Sequence, residues 1–146
     1  MALRIIINQQ TTLNTMAKTA MRDAVFNKYS GRCSYCGCDI TKKDFQVDHL
    51  IPKAFWESTI KNKFKVPAFL RHLTIDDIAH FDNLMPTCRV CNKWKSAHSL
   101  ELFRTELQEQ IKRLNDYSSN YRMAKKYNLI SEQPKEIEFY FETYNQ

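Results

Sequence analysis

The sequence predicts an α+β fold in which a small β unit carries a metal site and helices surround it. Three observations lead to this prediction. Two C-x-x-C pairs, Cys33/Cys36 and Cys88/Cys91, are present. Residues 45–51 alternate apolar and polar side chains, as a half-buried strand does. Apolar residues over 100–117 recur at spacings of three and four, which is typical of an amphipathic helix.

The composition is that of a compact globular chain. It has 146 residues, 43% of them hydrophobic, and only 2 Gly and 4 Pro. We therefore expect a single domain spanning 1–146 and exclude disordered and low-complexity classes. No apolar run approaches the ~20 residues of a membrane span, and no signal peptide is apparent at the N-terminus. We expect a soluble, cytoplasmic protein with no membrane partner, encoded by a bacterium or phage.

The N-terminal residues are predicted to form a short strand and a helix that precede the first C-x-x-C pair. The β-branched residues in 3–7 predict a short strand, with a frayed arm as the alternative. Thr15 is a candidate N-cap for a helix over 16–29. Gly31 is a natural end for that helix.

The middle of the chain is predicted to be an insertion between two strands. The first strand, within 45–51, ends at Pro52. Residues 53–80 show no single periodicity, although Thr74 and the acidic residues after it predict a helical piece. The second strand leads into the second C-x-x-C pair, and a helix is expected to start near Cys91.

The C-terminal part is predicted to be mainly helical. The stripe over 100–117 predicts about five turns, whose apolar face lies either in the core or in a homodimer seam. A basic helical piece follows over 121–127. Residues 137–141 alternate Ile and Phe with Glu and Tyr, which predicts a half-buried strand.

The cysteines predict a structural zinc site. Four thiolates from two C-x-x-C pairs are a usual tetrahedral set for zinc, whereas a redox site needs only one pair. The ligands are therefore Cys33, Cys36, Cys88 and Cys91. Cys38 is expected to be a bystander, with ligand substitution as the alternative.

Three blocks surround these cysteines: GRCSYCG at 31–37, VDHLIP at 47–52 and DNLMPTCRVCNKWK at 82–95. In that order they resemble the HNH endonuclease family, which has a zinc-stabilised ββα-metal core. The resemblance covers about 21–105 and leaves 106–146 as a C-terminal extension of helices and a strand. It implies a metal-dependent DNA endonuclease that hydrolyses phosphodiester bonds, as in restriction, defence, phage or mobile-element nucleases.

The resemblance also implies a role for each matching residue. His49 becomes the general base, Asp48 and Asn92 ligands of a catalytic divalent metal, and Asn83 a brace for the loop that positions the base. Many members have His where this chain has Asn92. An amide oxygen is a hard, neutral ligand, so this H-N-N variant favours Mg²⁺ or Mn²⁺. Asn83 and Asn92 also have a purely structural alternative as caps of turns or helices.

The expected partner is DNA, in its double-stranded form. Residues 1–100 carry 15 basic and 8 acidic residues, a net charge of +7, whereas 101–146 carry 7 and 8, a net charge of −1. For hydrolysis of the DNA backbone, the pKa of a histidine such as His49 suits it to accept a proton from water near pH 7. The basic side chains expected to contact phosphates are Arg89, Lys93 and Lys95. Lys61, Lys63 and Lys65 either extend this track or form a solvated face.

The sequence is also compatible with two other functions. One is a zinc-dependent nucleic-acid-binding module that does not cut. The other is an interaction domain whose long helix recruits a partner. His72, His80 and His98 are either ordinary surface histidines or further contacts to metal or phosphate.

Overall fold

The computed structural model describes residues 2–144, with side chains from residue 14 onward. Within this part it has seven α-helices and one two-stranded antiparallel sheet, so the fold is mixed α/β. None of the described helices has the length and apolar character needed to cross a membrane. The elements, in chain order, are α1 (Ala2–Asn27), β1 (Gln46–His49), α2 (Trp56–Lys61), β2 (Leu84–Thr87), α3 (Arg89–Lys95), α4 (Leu100–Gln108), α5 (Gln110–Tyr117), α6 (Ser119–Lys126) and α7 (Tyr140–Thr143).

Helix α1 is longer than the sequence pattern predicts. Residues 3–7 lie inside it, so the strand prediction is wrong, and Thr15 is an interior residue rather than an N-cap. A β-branched run needs a neighbouring strand to form a ladder, and the only sheet among the described residues is β1–β2. The predicted end is confirmed, because Gly31 has a φ of 71° and its N–H donates to the carbonyl of Phe26 at 3.3 Å.

The sheet confirms both predicted strands and sets their register. Asp48 lies opposite Met85, and His49 lies opposite Leu84. Every residue of β2 is buried. Successive side chains of a strand point to opposite faces, so Asp48 is buried while its neighbour His49 is half-exposed.

The insertion between the strands is built from α2 and short 3-10 turns. Trp56 is 4% exposed and its ring N–H donates to the Ile75 carbonyl at 2.8 Å. The predicted helix at Thr74 is wrong. The backbone N–H and hydroxyl of Thr74 both donate to Asp77, which closes a single turn. The segment does not continue as a helix, and the Ile78 carbonyl accepts a hydrogen bond from the side-chain amide of Asn83, five residues later.

The predicted helix over 100–117 is interrupted at Glu109, which gives α4 and α5. The apolar stripe is divided accordingly. Phe103 of α4 is 1% exposed and belongs to the core, whereas Ile111 and Tyr117 of α5 are 42% and 85% exposed. The exposed half on α5 is the surface on which the predicted homodimer seam would form, and the dimer stays a prediction. The basic helix is confirmed as α6.

The predicted C-terminal strand is wrong. Residues 131–139 have no regular secondary structure, and α7 begins at Tyr140. Phe139 is nevertheless on the buried side, as the alternation predicts. It is 1% exposed, and its ring stacks on that of Phe103 with 5.3 Å between the ring centroids. No strand pairs with this segment among the described residues; two backbone bonds replace the ladder, from Tyr140 N–H to Tyr35 O and from Phe141 N–H to Ser34 O.

Candidate metal centre and catalytic site

The structure brings the four predicted cysteine ligands together. One Sγ atom from each of Cys33, Cys36, Cys88 and Cys91 lies within 4.8 Å of the others. Cys36 Sγ and Cys88 Sγ are 3.9 Å apart. Four sulfurs at 2.3 Å from a tetrahedral zinc ion stand about 3.8 Å from one another, so the cluster fits zinc. Cys38 is exposed and lies outside this group.

Local backbone geometry shapes the cysteine cluster. Gly37 reverses the chain with a φ of 73°, and a side chain there would meet the Tyr140 ring, since a Cβ would lie 2.9 Å from it. Cys88 is the N-cap of α3 and accepts the Cys91 N–H at 3.4 Å. A hydrogen bond from Cys91, together with backbone N–H groups, lowers the pKa of Cys33 to about 4 although burial opposes it. Such donors stabilise the thiolate that a zinc ion requires.

Asp48 forms a buried ion pair. Lys95 Nζ lies 2.9 Å from Asp48 Oδ2 and 3.0 Å from the His49 carbonyl oxygen, which it also contacts as a hydrogen-bond donor. The Tyr35 hydroxyl donates to the same Asp48 oxygen at 2.5 Å. Burial, reinforced by the Asp48 charge, raises the pKa of Tyr35 well above its usual value. The predicted metal ligand Asp48 therefore has one carboxylate oxygen shared by two protein donors.

Helix α3 presents its basic residues on different sides. Lys95 is 0% exposed, so its predicted role as a phosphate contact is wrong. Arg89 and Lys93 are exposed to solvent, as a phosphate contact requires. Asn92 is half-buried and stands three residues before Lys95, on the same face of the helix. That face is the one that turns toward Asp48.

His49 ends β1 with a half-exposed side chain. Its ring makes no hydrogen bond to another side chain or carbonyl within the described part of the chain. Burial lowers the pKa of His49, the charges of Lys53 and Lys95 lower it further, and only Asp48 opposes them. These effects favour the neutral form of the imidazole, which has one nitrogen able to accept a proton.

Asn83 is fully buried and joins two loops. Its Oδ1 accepts the Ile51 N–H at 2.9 Å, and its Nδ2 donates to the Ile78 carbonyl at 3.0 Å. Its own carbonyl accepts the Leu50 N–H at 2.9 Å. Asn83 thus holds the two residues that follow His49 against the end of the insertion, the geometry expected of the predicted brace.

Two residues of this site have a role that the sequence does not predict. Tyr35 donates to Asp48, and Lys95, which the sequence assigns to phosphate, is the ion-pair partner of Asp48. A signal for Lys95 was available, because it stands three residues after Asn92 and four after Cys91, on the inner face of a helix that starts at the cluster. Tyr35 offered no comparable signal, since its partner lies 13 residues away.

The proposed basic track outside α3 is partly occupied by contacts within the chain. Lys61 pairs with Glu57, one turn earlier on α2. Lys63 donates to the carbonyls of Arg71 and Leu73 at 3.0 and 2.8 Å. Lys65 is exposed. Of these three lysines, Lys65 is the one best placed for an external phosphate.

Comparison with known proteins gives no match. Neither a family model, a curated protein nor a solved structure is similar to this chain. A proposal about function therefore depends on the residue blocks and on the geometry described above.

Proposed function

We propose that this protein is a metal-dependent DNA endonuclease with an HNH-type ββα-metal site. The observation that best supports the proposal is the succession β1, β2, α3 around a half-exposed His49. Asn83 braces the loop after that histidine, and a four-cysteine cluster stands where the two strands meet α3. The cluster would bind structural zinc and fix the turn that carries Cys33 and Cys36 to the start of α3.

In this proposal His49 is the general base. Hydrolysis of a phosphodiester requires a water molecule to lose a proton as it attacks phosphorus. A neutral imidazole with solvent access takes that proton at its free nitrogen. Asn83 keeps the backbone of Leu50 and Ile51 fixed, so the ring stays in one position relative to the strand end.

Asp48 and Asn92 are the residues that would hold the catalytic Mg²⁺ or Mn²⁺. Carboxylate and amide oxygens suit a hard divalent cation. When bound, such an ion supplies stabilisation of the charge on the phosphoryl group and on the leaving 3′ oxygen. Lys95 already binds one oxygen of Asp48, so cation binding has to use the other oxygen or displace the ammonium.

The proposed substrate is double-stranded DNA held by its backbone. The net charge of +7 in residues 1–100 favours a polyanion. Arg89 and Lys93, both exposed on α3, are the proposed phosphate contacts. Contacts of this kind carry no sequence information.

The test is a plasmid-cleavage assay on the zinc-loaded protein with Mg²⁺ or Mn²⁺, with and without EDTA. We expect metal-dependent nicking or linearisation, and its loss in His49→Ala with zinc content and melting temperature unchanged. His98→Ala is the matched control, because it removes another imidazole outside the proposed site. Equal cleavage by His49→Ala and the wild type would overturn the assigned base.

The alternative is a zinc-dependent nucleic-acid-binding module that does not cut. The Asp48–Lys95 ion pair favours it, because this pair satisfies the carboxylate without a metal ion. Gel-shift binding of the same plasmid, with no cleavage at any concentration of either metal, would select this alternative. Cleavage that disappears in His49→Ala would exclude it.

A further inference from the structure

A second group of metal-ligating side chains lies away from the cysteines. One ring nitrogen from each of His72 and His80 and a carboxylate oxygen of Asp82 lie within 4.8 Å of one another. His72 Nε2 is 2.9 Å and His80 Nδ1 is 3.7 Å from the same oxygen, Asp82 Oδ2. Two nitrogen or oxygen ligands about 2.0–2.1 Å from a tetrahedral zinc ion stand about 3.3 Å apart, so both distances are within 0.4–0.5 Å of that value.

One ring nitrogen of His80 already accepts a hydrogen bond. Its Nδ1 accepts the backbone N–H of Asp82 at 3.2 Å, so this nitrogen is unprotonated, and a bound zinc ion would take its lone pair in place of that hydrogen bond. His72 contacts the Asp82 carboxylate through Nε2, where the bridging proton is replaceable by a cation. The two rings meet edge to face at 5.7 Å between their centres.

We propose that His72, His80 and Asp82 form a second zinc site, independent of the four-cysteine site. Two imidazoles and one carboxylate are a usual three-ligand set for zinc, which then takes water as its fourth ligand. The side chains are 53%, 42% and 40% exposed, respectively for His72, His80 and Asp82, so solvent reaches the remaining position. All four cysteines are separate from this set.

The backbone around the site is already held in place. Lys28, which directly follows α1, donates to the carbonyls of Phe81 and Asp82 at 3.0 and 3.1 Å. Asp82 lies in the 3-10 turn Phe81–Asn83, whereas His72 belongs to the loop after Ala68–Leu70. A zinc ion here would join two separate loops of the insertion, one of which contains Asn83.

The test is zinc stoichiometry by elemental mass spectrometry on the full chain, after loading with zinc and exhaustive dialysis against metal-free buffer. We expect two equivalents per chain for the wild type and one for His72→Ala and for Asp82→Asn. His98→Ala is the control and should retain two. One equivalent in the wild type, or two in His72→Ala, would overturn the proposal.

Cobalt substitution separates the two sites spectroscopically. Thiolate-bound Co²⁺ gives an intense near-ultraviolet charge-transfer band and strong visible bands, whereas imidazole and carboxylate ligation adds weaker visible bands and no such charge-transfer band, so the second site is measured as the difference between the wild-type and variant visible spectra. We expect the weak bands to disappear in His72→Ala while the thiolate band remains, which also shows that this variant is folded. An unchanged visible spectrum would exclude the second site. Neither readout depends on nuclease activity.

Discussion

Replacing Lys95 with methionine removes an ammonium group that is fully buried and keeps most of the side-chain volume. The Asp48 side chain, which is 10% exposed, then keeps Tyr35 as its remaining side-chain donor. Removing one partner of a buried ion pair costs about 3–5 kcal/mol because the other charge stays buried without its partner. The Tyr35 hydrogen bond places the expected loss near the lower end, about 3 kcal/mol. That is a large part of the 5–15 kcal/mol by which a domain is stable.

Urea unfolding of the zinc-loaded protein, followed by tryptophan fluorescence, measures this loss. With a slope of about 1–3 kcal/mol per molar, a 3 kcal/mol loss lowers the midpoint by roughly 1–3 M. Lys93→Met, on the exposed side of the same helix, should stay within about 0.5 kcal/mol of the wild type. Adding Asp48→Asn to Lys95→Met should restore part of the stability, because both charges are then absent. A loss below about 1 kcal/mol for Lys95→Met, or an additive double variant, would refute the reasoning.

Three further predictions concern the elements around the site. Cys88→Ser should lose the four-cysteine zinc ion and cooperative melting, measured by zinc content and thermal denaturation, while Cys38→Ser keeps both; retention of zinc in Cys88→Ser would argue against the cluster. Asn83→Ala should lower the free energy of unfolding in urea by about 1–3 kcal/mol, because the buried backbone N–H of Ile51 loses its hydrogen-bond acceptor. Unchanged stability would contradict the role of Asn83 as a brace. Phe139→Ala should cost about 3–5 kcal/mol and expose the C-terminal segment to protease, whereas Phe64→Ala, at a 96% exposed position, should do neither.

The contrast between correct and incorrect element predictions has a physical basis. The strand within 45–51 and the helical stretch over 100–117, which the structure divides at Glu109, were predictable because their hydrophobic pattern repeats over several residues. The strand Leu84–Thr87 has no such repeat, since all four of its residues are buried, and its prediction depended on its place before the second C-x-x-C pair. The pattern at 137–141 gave the correct buried face but the wrong structure. Burial every second residue occurs in any extended segment, and a strand also needs a neighbour that supplies a ladder. The run at 3–7 lacks that neighbour as well and continues α1 instead.

By itself, the sequence determined the four-cysteine set, because two C-x-x-C pairs carry their own local geometry and need only be brought together. It also determined Asn83 as a residue next to the loop of His49, through the order of three short blocks. Only the tertiary structure decided what Lys95 does. A lysine on a helix is assigned to solvent or to the interior by what packs against that face, and here the face meets Asp48, which lies 47 residues earlier in the chain. The cluster of His72, His80 and Asp82 could not be predicted for the same reason, because its members come from two separate loops of the insertion and only the tertiary structure brings them together.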